Sequence, residues 1–189
     1  KQDVNGGNND QNPQPPAPAP AVPAKGKVYT VSGSNYKVAS ASVDGGTVAF
    51  TGYKGNTKTS IKIPASVTIE GKPYKVTSIA KKALHKKTKL ATVTIGNNVT
   101  SIDASAFEKC TSLKKVTIGT ALKTIGKKAF SGDKKLSSIT IKSKKLTKVN
   151  SKALSNVKNV TITVPKAKKK AYTRLFKGKG AKKVKMKAK

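Results

Sequence analysis

The chain has 189 residues, room for one ordinary domain or a smaller one with a tail. Hydrophobic residues are only 35% and tryptophan is absent; no apolar run approaches the roughly 18 residues of a spanning helix, which excludes membrane insertion by that route. One cysteine rules out an internal disulfide framework, one histidine leaves almost nothing for a histidine-based site, and 40 basic residues against 7 acidic ones give a net charge of +33.

Residues 1–24 carry net charge −1 and are rich in Asn, Gln, Gly, Pro and Ala. Such a stretch buries too little apolar surface to offset chain entropy. Its alternating prolines from Pro13 to Pro23 favour polyproline II. It is expected to be a disordered linker. The chain begins at Lys1 rather than methionine, so the expectation is a removed leader or a longer parent protein.

Residues 25–75 read as a β-strand N-terminal cap region. KVYTV, NYKVA and GTVAFTGY are short strands, and SIKIPASVTIEGKPYKVTSI reads as two strands joined by a hairpin turn at Glu70-Gly71.

From Val76 the chain copies itself at about 23 residues. Val76, Val99, Leu122 and Leu146 correspond; so do Ile79, Ile102, Ile125 and Val149. Ala83-Leu84, Ala106-Phe107, Ala129-Phe130 and Ala153-Leu154 form a third set. Val93-Thr94-Ile95, Val116-Thr117-Ile118, Ile139-Thr140-Ile141 and Val160-Thr161-Ile162 form a fourth. A single unit of this length cannot close a core, but stacked units share one. The period of two points Val and Ile inward and Thr outward. The Ala-Phe step is expected to turn the chain through a short helix, and Gly96, Gly119 and Gly126 to stand at turns that need positive φ.

Residues 166–189 form a lysine-rich C-terminal cap with twelve basic residues and no acid. Pro165 precedes a predicted helix whose Tyr172, Leu175 and Phe176 lie at helical spacing. GKG ends it, and KVKMK alternates like an edge strand guarded by lysines.

The pattern V-x-x-I-x-x-x-A-F-x-x-C-x-x-L-x-x-V-x-I is complete from Val99 to Ile118. It resembles the BspA-like, bacterial surface-antigen group of leucine-rich repeats, over roughly residues 62–165. Lys87 and Asp133 replace the cysteine in other copies, and Leu84 and Leu154 replace the phenylalanine. The resemblance implies a β-rich leucine-rich-repeat solenoid of the α/β horseshoe class, with about four coils over residues 76–165. It also implies a secreted or bacterial cell-surface protein that adheres to host proteins or other cells. No enzymatic activity or cofactor is expected.

The residues themselves offer little chemistry. His85 lies in a lysine-rich connection and is expected in solvent; Cys110 holds an inward repeat position and reads as a small buried hydrophobe. Asp103 and Glu108 have no further carboxylate with which to form a glycosidase pair or calcium site, and Asp103 is expected to cap the Ala106-Phe107 turn. Specific nucleic-acid binding is not expected, because 39 of the 40 basic residues are lysine and no aromatic platform is free. The threonine column Thr94, Thr117, Thr140 and Thr161 reads as β-propensity and solubility. Four strands would present only about 250 Å², far below the roughly 800 Å² per partner of a standard interface.

The lysines crowd the connections between coils. The candidate ligand-binding residues are therefore Lys166, Lys168, Lys169, Lys170, Lys182 and Lys183. The expected partner is a host extracellular protein, an anionic glycan or a wall polymer. The rival readings are a structural spacer or cell-wall-retention domain, and an accessory domain of a larger surface enzyme.

Overall fold

A computed structural model describes residues 22–189. The expected linker therefore lies outside the described residues as far as residue 21. Strands β1 (Val28–Val31), β2 (Ser34–Ser42) and β3 (Gly45–Gly52) form an antiparallel meander. The chain then winds. β4 (Ser60–Ile63) is followed by the hairpin of β5 (Ser66–Ile69) and β6 (Lys72–Ile79). Glu70 and Gly71 join the hairpin, both at positive φ (48° and 76°), as a two-residue turn matched to strand twist requires.

Long and short strands alternate from there: β7 (Thr92–Ile95), β8 (Ser101–Ile102), β9 (Lys115–Ile118), β10 (Thr124–Ile125), β11 (Ser138–Ile141), β12 (Lys148–Val149) and β13 (Asn159–Val164). A 3₁₀ turn (Lys166–Lys168), the helix α1 (Lys169–Phe176) and the strand β14 (Lys183–Ala188) complete the chain.

These strands make two sheets. One runs β1-β2-β3-β6-β8-β10-β12, with β5 paired to β6. The other runs β4-β7-β9-β11-β13-β14 and is parallel throughout. The four aligned apolar columns all face the space between the sheets. Val76, Val99, Leu122 and Leu146 are buried, as are Ile79, Ile102, Ile125 and Val149. Phe107 and Phe130 stack through that centre with ring centroids 5.0 Å apart.

The winding is longer than four coils. The parallel sheet has six strands, because one turn is added at each end. At the front the β5–β6 hairpin stretches the repeat to 32 residues, from Ser60 to its partner Thr92. At the back α1 replaces the usual turns, yet the spacing from Asn159 to Lys183 is still 24.

Three local expectations are corrected. The Ala-Phe step is a run of turns, not a helix. The N–H groups of Lys82, Leu84 and Lys86 donate to the carbonyls of Ala104, Ala106 and Glu108 one coil on, while those of Ala83, His85 and Lys87 close turns within their own coil. A helix would keep every such bond inside one coil. Left-handed residues recur in this run at Lys82 and Lys86, Ser105 and Lys109, Lys128 and Gly132, and Lys152 and Asn156.

Gly96, Gly119 and Gly126 do not have positive φ. Their role is close approach. A Cβ on Gly119 would lie 2.6 Å from Asn97 Cα, and one on Gly126 would lie 2.6 Å from Ala104 N, both in the preceding coil. Finally, Thr140 pairs with Thr163 and Ser138 with Thr161, so the last unit is shifted by two residues from its sequence alignment. The alternation of apolar residues with threonine in NVTITV permits either register on pattern alone; the backbone pairing chooses.

Candidate functional site

Alternation along the parallel sheet buries one set of side chains and presents the other. One outward row is Lys62, Thr94, Thr117, Thr140, Thr163 and Lys187; the next is Ser60, Thr92, Lys115, Ser138, Thr161 and Lys185. Asn159 and Lys183 extend the face at its last two strands. No outward position on this sheet carries a carboxylate. The first row is hydroxylated in the middle and cationic at both ends; the second has lysine at Lys115 on a central strand and at Lys185 on the last. Strands at about 4.8 Å give a width of roughly 24 Å across the sheet.

The residue after each strand forms a rim: Pro64, Gly96, Gly119, Lys142, Pro165 and Lys189. The small residues at 96 and 119 let successive coils close up. Beside them lies a groove of about 440 Å³ lined by Lys62, Thr94, Thr117 and Lys142. A smaller hollow of about 180 Å³ continues past Lys142 to Thr163 and Lys189. Lys142 lines both hollows and is exposed, standing where the two preceding coils have glycine.

The six lysines singled out from sequence do not form one cluster. The N–H of Lys166 donates to the carbonyl of Lys189, so Lys166 lies at the rim end of β14. The N–H groups of Lys182 and Lys183 donate to Val157 and Lys158 at the other end. Six residues of strand, roughly 20 Å, separate the two groups. Lys185 and Lys187, exposed on the outward face of β14, lie along the gap between them. Lys169 and Lys170 are exposed in the first turn of α1, and Lys168 is half-buried. Sequence reasoning named the ends of this run and missed Lys185, Lys187 and Lys142. The alternation of KVKMK was the signal for the first two.

The carboxylates lie elsewhere. Among the described residues one ion pair forms, Lys27 to Glu70 at 3.8 Å, with both side chains about half exposed. Asp103 does not cap the turn with its side chain. Its Oδ1 accepts the Ser101 hydroxyl at 2.9 Å, while the Ala106 N–H goes to the Asp103 carbonyl. His85 is half-buried, and burial depresses its basicity.

Cys110 is fully buried. Its Sγ lies 2.9 Å from the Leu84 carbonyl, and burial, with Asp133 next, pushes the thiol up to about 12. Such a thiol is inert as a nucleophile. No group of three or more His, Cys, Asp or Glu that could hold a metal gathers among the described residues. No described helix is long and apolar enough to cross a membrane.

The sequence model for the BspA type leucine-rich repeat region, six copies, matches residues 51–182. The chain belongs to that family. Solved leucine-rich repeat structures share the winding. A leucine-rich repeat protein from Bacteroides capillosus ATCC 29799 is 29% identical, with TM-score 0.61 over 71% of this chain and 97% of that one. A leucine-rich cell surface protein from Faecalibacterium prausnitzii A2-165 is 26% identical, with TM-score 0.60 over 85% of this chain and 42% of its own. A leucine-rich repeat protein from Bacteroides ovatus ATCC 8483 is also 26% identical, with TM-score 0.60 over 74% and 38%. The chain thus spans about two fifths of those last two. No curated protein matches it.

Proposed function

We propose that this BspA-type solenoid is a non-enzymatic binding module displayed outside a bacterial cell, and that it captures an anionic polymer such as a teichoic acid, a sulfated glycan or a mucin. The observation that carries the reading is the outward face of the parallel sheet. It presents Lys62, Lys115, Lys183, Lys185 and Lys187 among hydroxyls, and no carboxylate to neutralise them. A surface address accords with the cell-surface relative of Faecalibacterium prausnitzii. Lysine suits a flexible polyanion, since each ammonium is a hydrated point charge without demanding geometry. The polymer follows the cap from Lys166 and Lys168–Lys170 along Lys187 and Lys185 to Lys182 and Lys183.

The test is calorimetric titration of the full chain with lipoteichoic acid or a heparin-like chain at about 50 to 200 mM salt. Counterion release makes affinity fall steeply over that range. Changing Lys166, Lys168, Lys169, Lys170, Lys182 and Lys183 to glutamine weakens binding further and keeps the aliphatic stems. Changing Thr94, Thr117 and Thr140 to serine leaves it unchanged. A flat salt response, or loss in the threonine variant alone, defeats the polyanion reading.

A further inference from the structure

The last strand leaves the solenoid unfinished. In each repeat coil before it the two inward positions of the long strand are fully enclosed, as with Val160 and Ile162. Their partners in β14 are Val184 and Met186, and both are only half-buried. The helix α1 does not close over them. Tyr172 and Phe176 are buried, and the Tyr172 hydroxyl is held by the Leu146 N–H and the Ser143 carbonyl, both at 3.0 Å. That hydroxyl ties the helix to the previous coil, and the helix runs beside β14 without covering Val184 or Met186. Between it and β14 lies an open groove of about 340 Å³, with Phe176, Ala181, Val184 and Met186 as its apolar lining and Arg174, Lys177 and Lys179 also around it.

The backbone is unfinished too. The N–H groups of Lys183 and Lys189 donate to the carbonyls of Lys158, just before β13, and of Val164 within it. By alternation along a strand, the N–H and C=O groups of Val184, Met186 and Ala188 point to the open side. This edge therefore offers a hydrogen-bonding ladder, an apolar stripe and three outward lysines, Lys183, Lys185 and Lys187. Lysines on an edge repel a second copy of the same edge. The same charges attract a strand of opposite sign.

We infer that β14 accepts an extended acidic segment of a partner protein as a seventh strand of the parallel sheet. The segment alternates acidic residues, facing Lys183, Lys185 and Lys187, with apolar residues that fill the groove over Val184 and Met186. Main-chain bonds supply affinity and the alternation supplies selection, as in strand addition generally. This site shares Lys183, Lys185 and Lys187 with the polyanion path, but it also needs strand geometry and an apolar face, which a teichoic acid or sulfated glycan lacks.

The experiment uses the full chain and three labelled octapeptides in about 150 mM salt, read by fluorescence anisotropy. One alternates Glu and Val. The second has the same number of Glu residues but two central prolines in place of valine. The third alternates Lys and Val. Expected is binding of the first at least tenfold tighter than the second, and none of the third. Amide exchange of Val184, Met186 and Ala188 slows when the first binds. Met186→Lys weakens the first peptide at least tenfold; Lys185→Gln, an exposed change that spares the fold, weakens it severalfold. Equal affinity for the two acidic peptides would reduce the site to charge attraction and overturn the proposal, without touching the polyanion reading. Absence of binding overturns it, as does binding with no protection at those three amides. Occupation of the groove by dodecanoate with no response to the peptides makes it an amphiphile site and overturns it equally.

Discussion

Asp133 stands where the coil before it has Cys110, and that exchange puts a carboxyl group wholly inside the stack. Its Oδ1 accepts the Cys110 N–H at 2.8 Å, but its buried Oδ2 has no partner. Burial raises its pKa from 3.8 to about 9, against the stabilising Cys110 hydrogen bond and with a further upward push from Glu108. The folded value lies above the unfolded one. The contribution to stability is therefore fully present below the unfolded pKa and is lost as pH rises through the folded value. One linked proton sets a limit of about 1.4 kcal/mol per pH unit. His85, with its depressed pKa, acts in the opposite sense, but below its ordinary value of 6.5. Between pH 7 and 8 the Asp133 effect dominates; nearer pH 9 the buried Cys110 thiol, also pushed up, begins to lower stability in the same sense. Urea titrations across that window should show stability falling with pH, and Asp133→Asn should flatten the slope and raise stability at pH 8. A wild-type profile that is already flat would show that the carboxyl is charged in the fold. Lys87 is the other charged residue in this column. It escapes burial by carrying its ammonium over the Tyr53 ring, 4.5 Å from the centroid, to the Tyr53 and Gly55 carbonyls. The departures at 87 and 133 from the cysteine pattern were visible in the sequence. Their different solutions were not, because one depends on an end coil of irregular sequence and the other on a hydrogen bond from the coil before. The apolar columns carry a simpler expectation. Ile102→Ala or Ile125→Ala should cost about 2–5 kcal/mol through lost burial and the cavity left, read as a lowered urea midpoint.

At the level of elements, α1 breaks a local rule. Its N-cap is Lys168, its first turn holds Lys169 and Lys170, no acid lies in that turn, and no side chain caps it. The positive end of the helix dipole thus faces three positive charges, each unfavourable by roughly 0.3–1 kcal/mol at low ionic strength. Local rules broken without local compensation mark positions kept for another purpose. Lys169→Glu together with Lys170→Glu should therefore stabilise the protein by about 1 kcal/mol in low salt, seen as a higher melting temperature, and weaken its hold on lipoteichoic acid. Higher stability with unchanged affinity would remove the helix start from the binding path. The sequence showed this helix through Tyr172, Leu175 and Phe176, and the coils through the 23-residue columns, because burial imposes a period that side chains must obey. It could not show the third side of each coil. Lys82, Lys86, Lys109 and Lys128 take left-handed conformations that lysine does not favour, and the bonds between coils that hold them there are backbone bonds with no residue signature. Gly119 misled for a related reason. Glycine serves equally for positive φ and for close approach, and only the neighbouring Asn97 decides between them. At the face, the inward and outward alternation was readable, whereas the alignment of Thr163 rather than Thr161 with Thr140 depends on pairing between strands.

For the molecule as a whole, charge and shape pull in opposite directions. Residues 25–189 carry net charge +34 and residues 1–24 carry −1. Stacked coils hold those lysines on one continuous apolar core, with a single ion pair, itself half exposed and worth little, among the described residues. A high net charge of one sign destabilises a compact state through self-repulsion. The core must outweigh that repulsion, and salt weakens it: the Debye length falls from about 30 Å at 0.01 M to about 3 Å at 1 M. The melting temperature should therefore rise with sodium chloride from about 20 to 500 mM, by several degrees at least, since about 1 kcal/mol moves a chain of this size by roughly 2–4 °C. A polyanion should do the same at far lower concentration, because it binds the folded array of lysines as well as screening it. Differential scanning fluorimetry distinguishes the two. In low salt a heparin-like chain at micromolar concentration should raise the melting temperature, and 500 mM salt should abolish that increment while supplying its own. A melting temperature that falls with salt would mean that attractive pairs hold the coils together, and that the lysines are part of the fold's support rather than a surface offered to a partner.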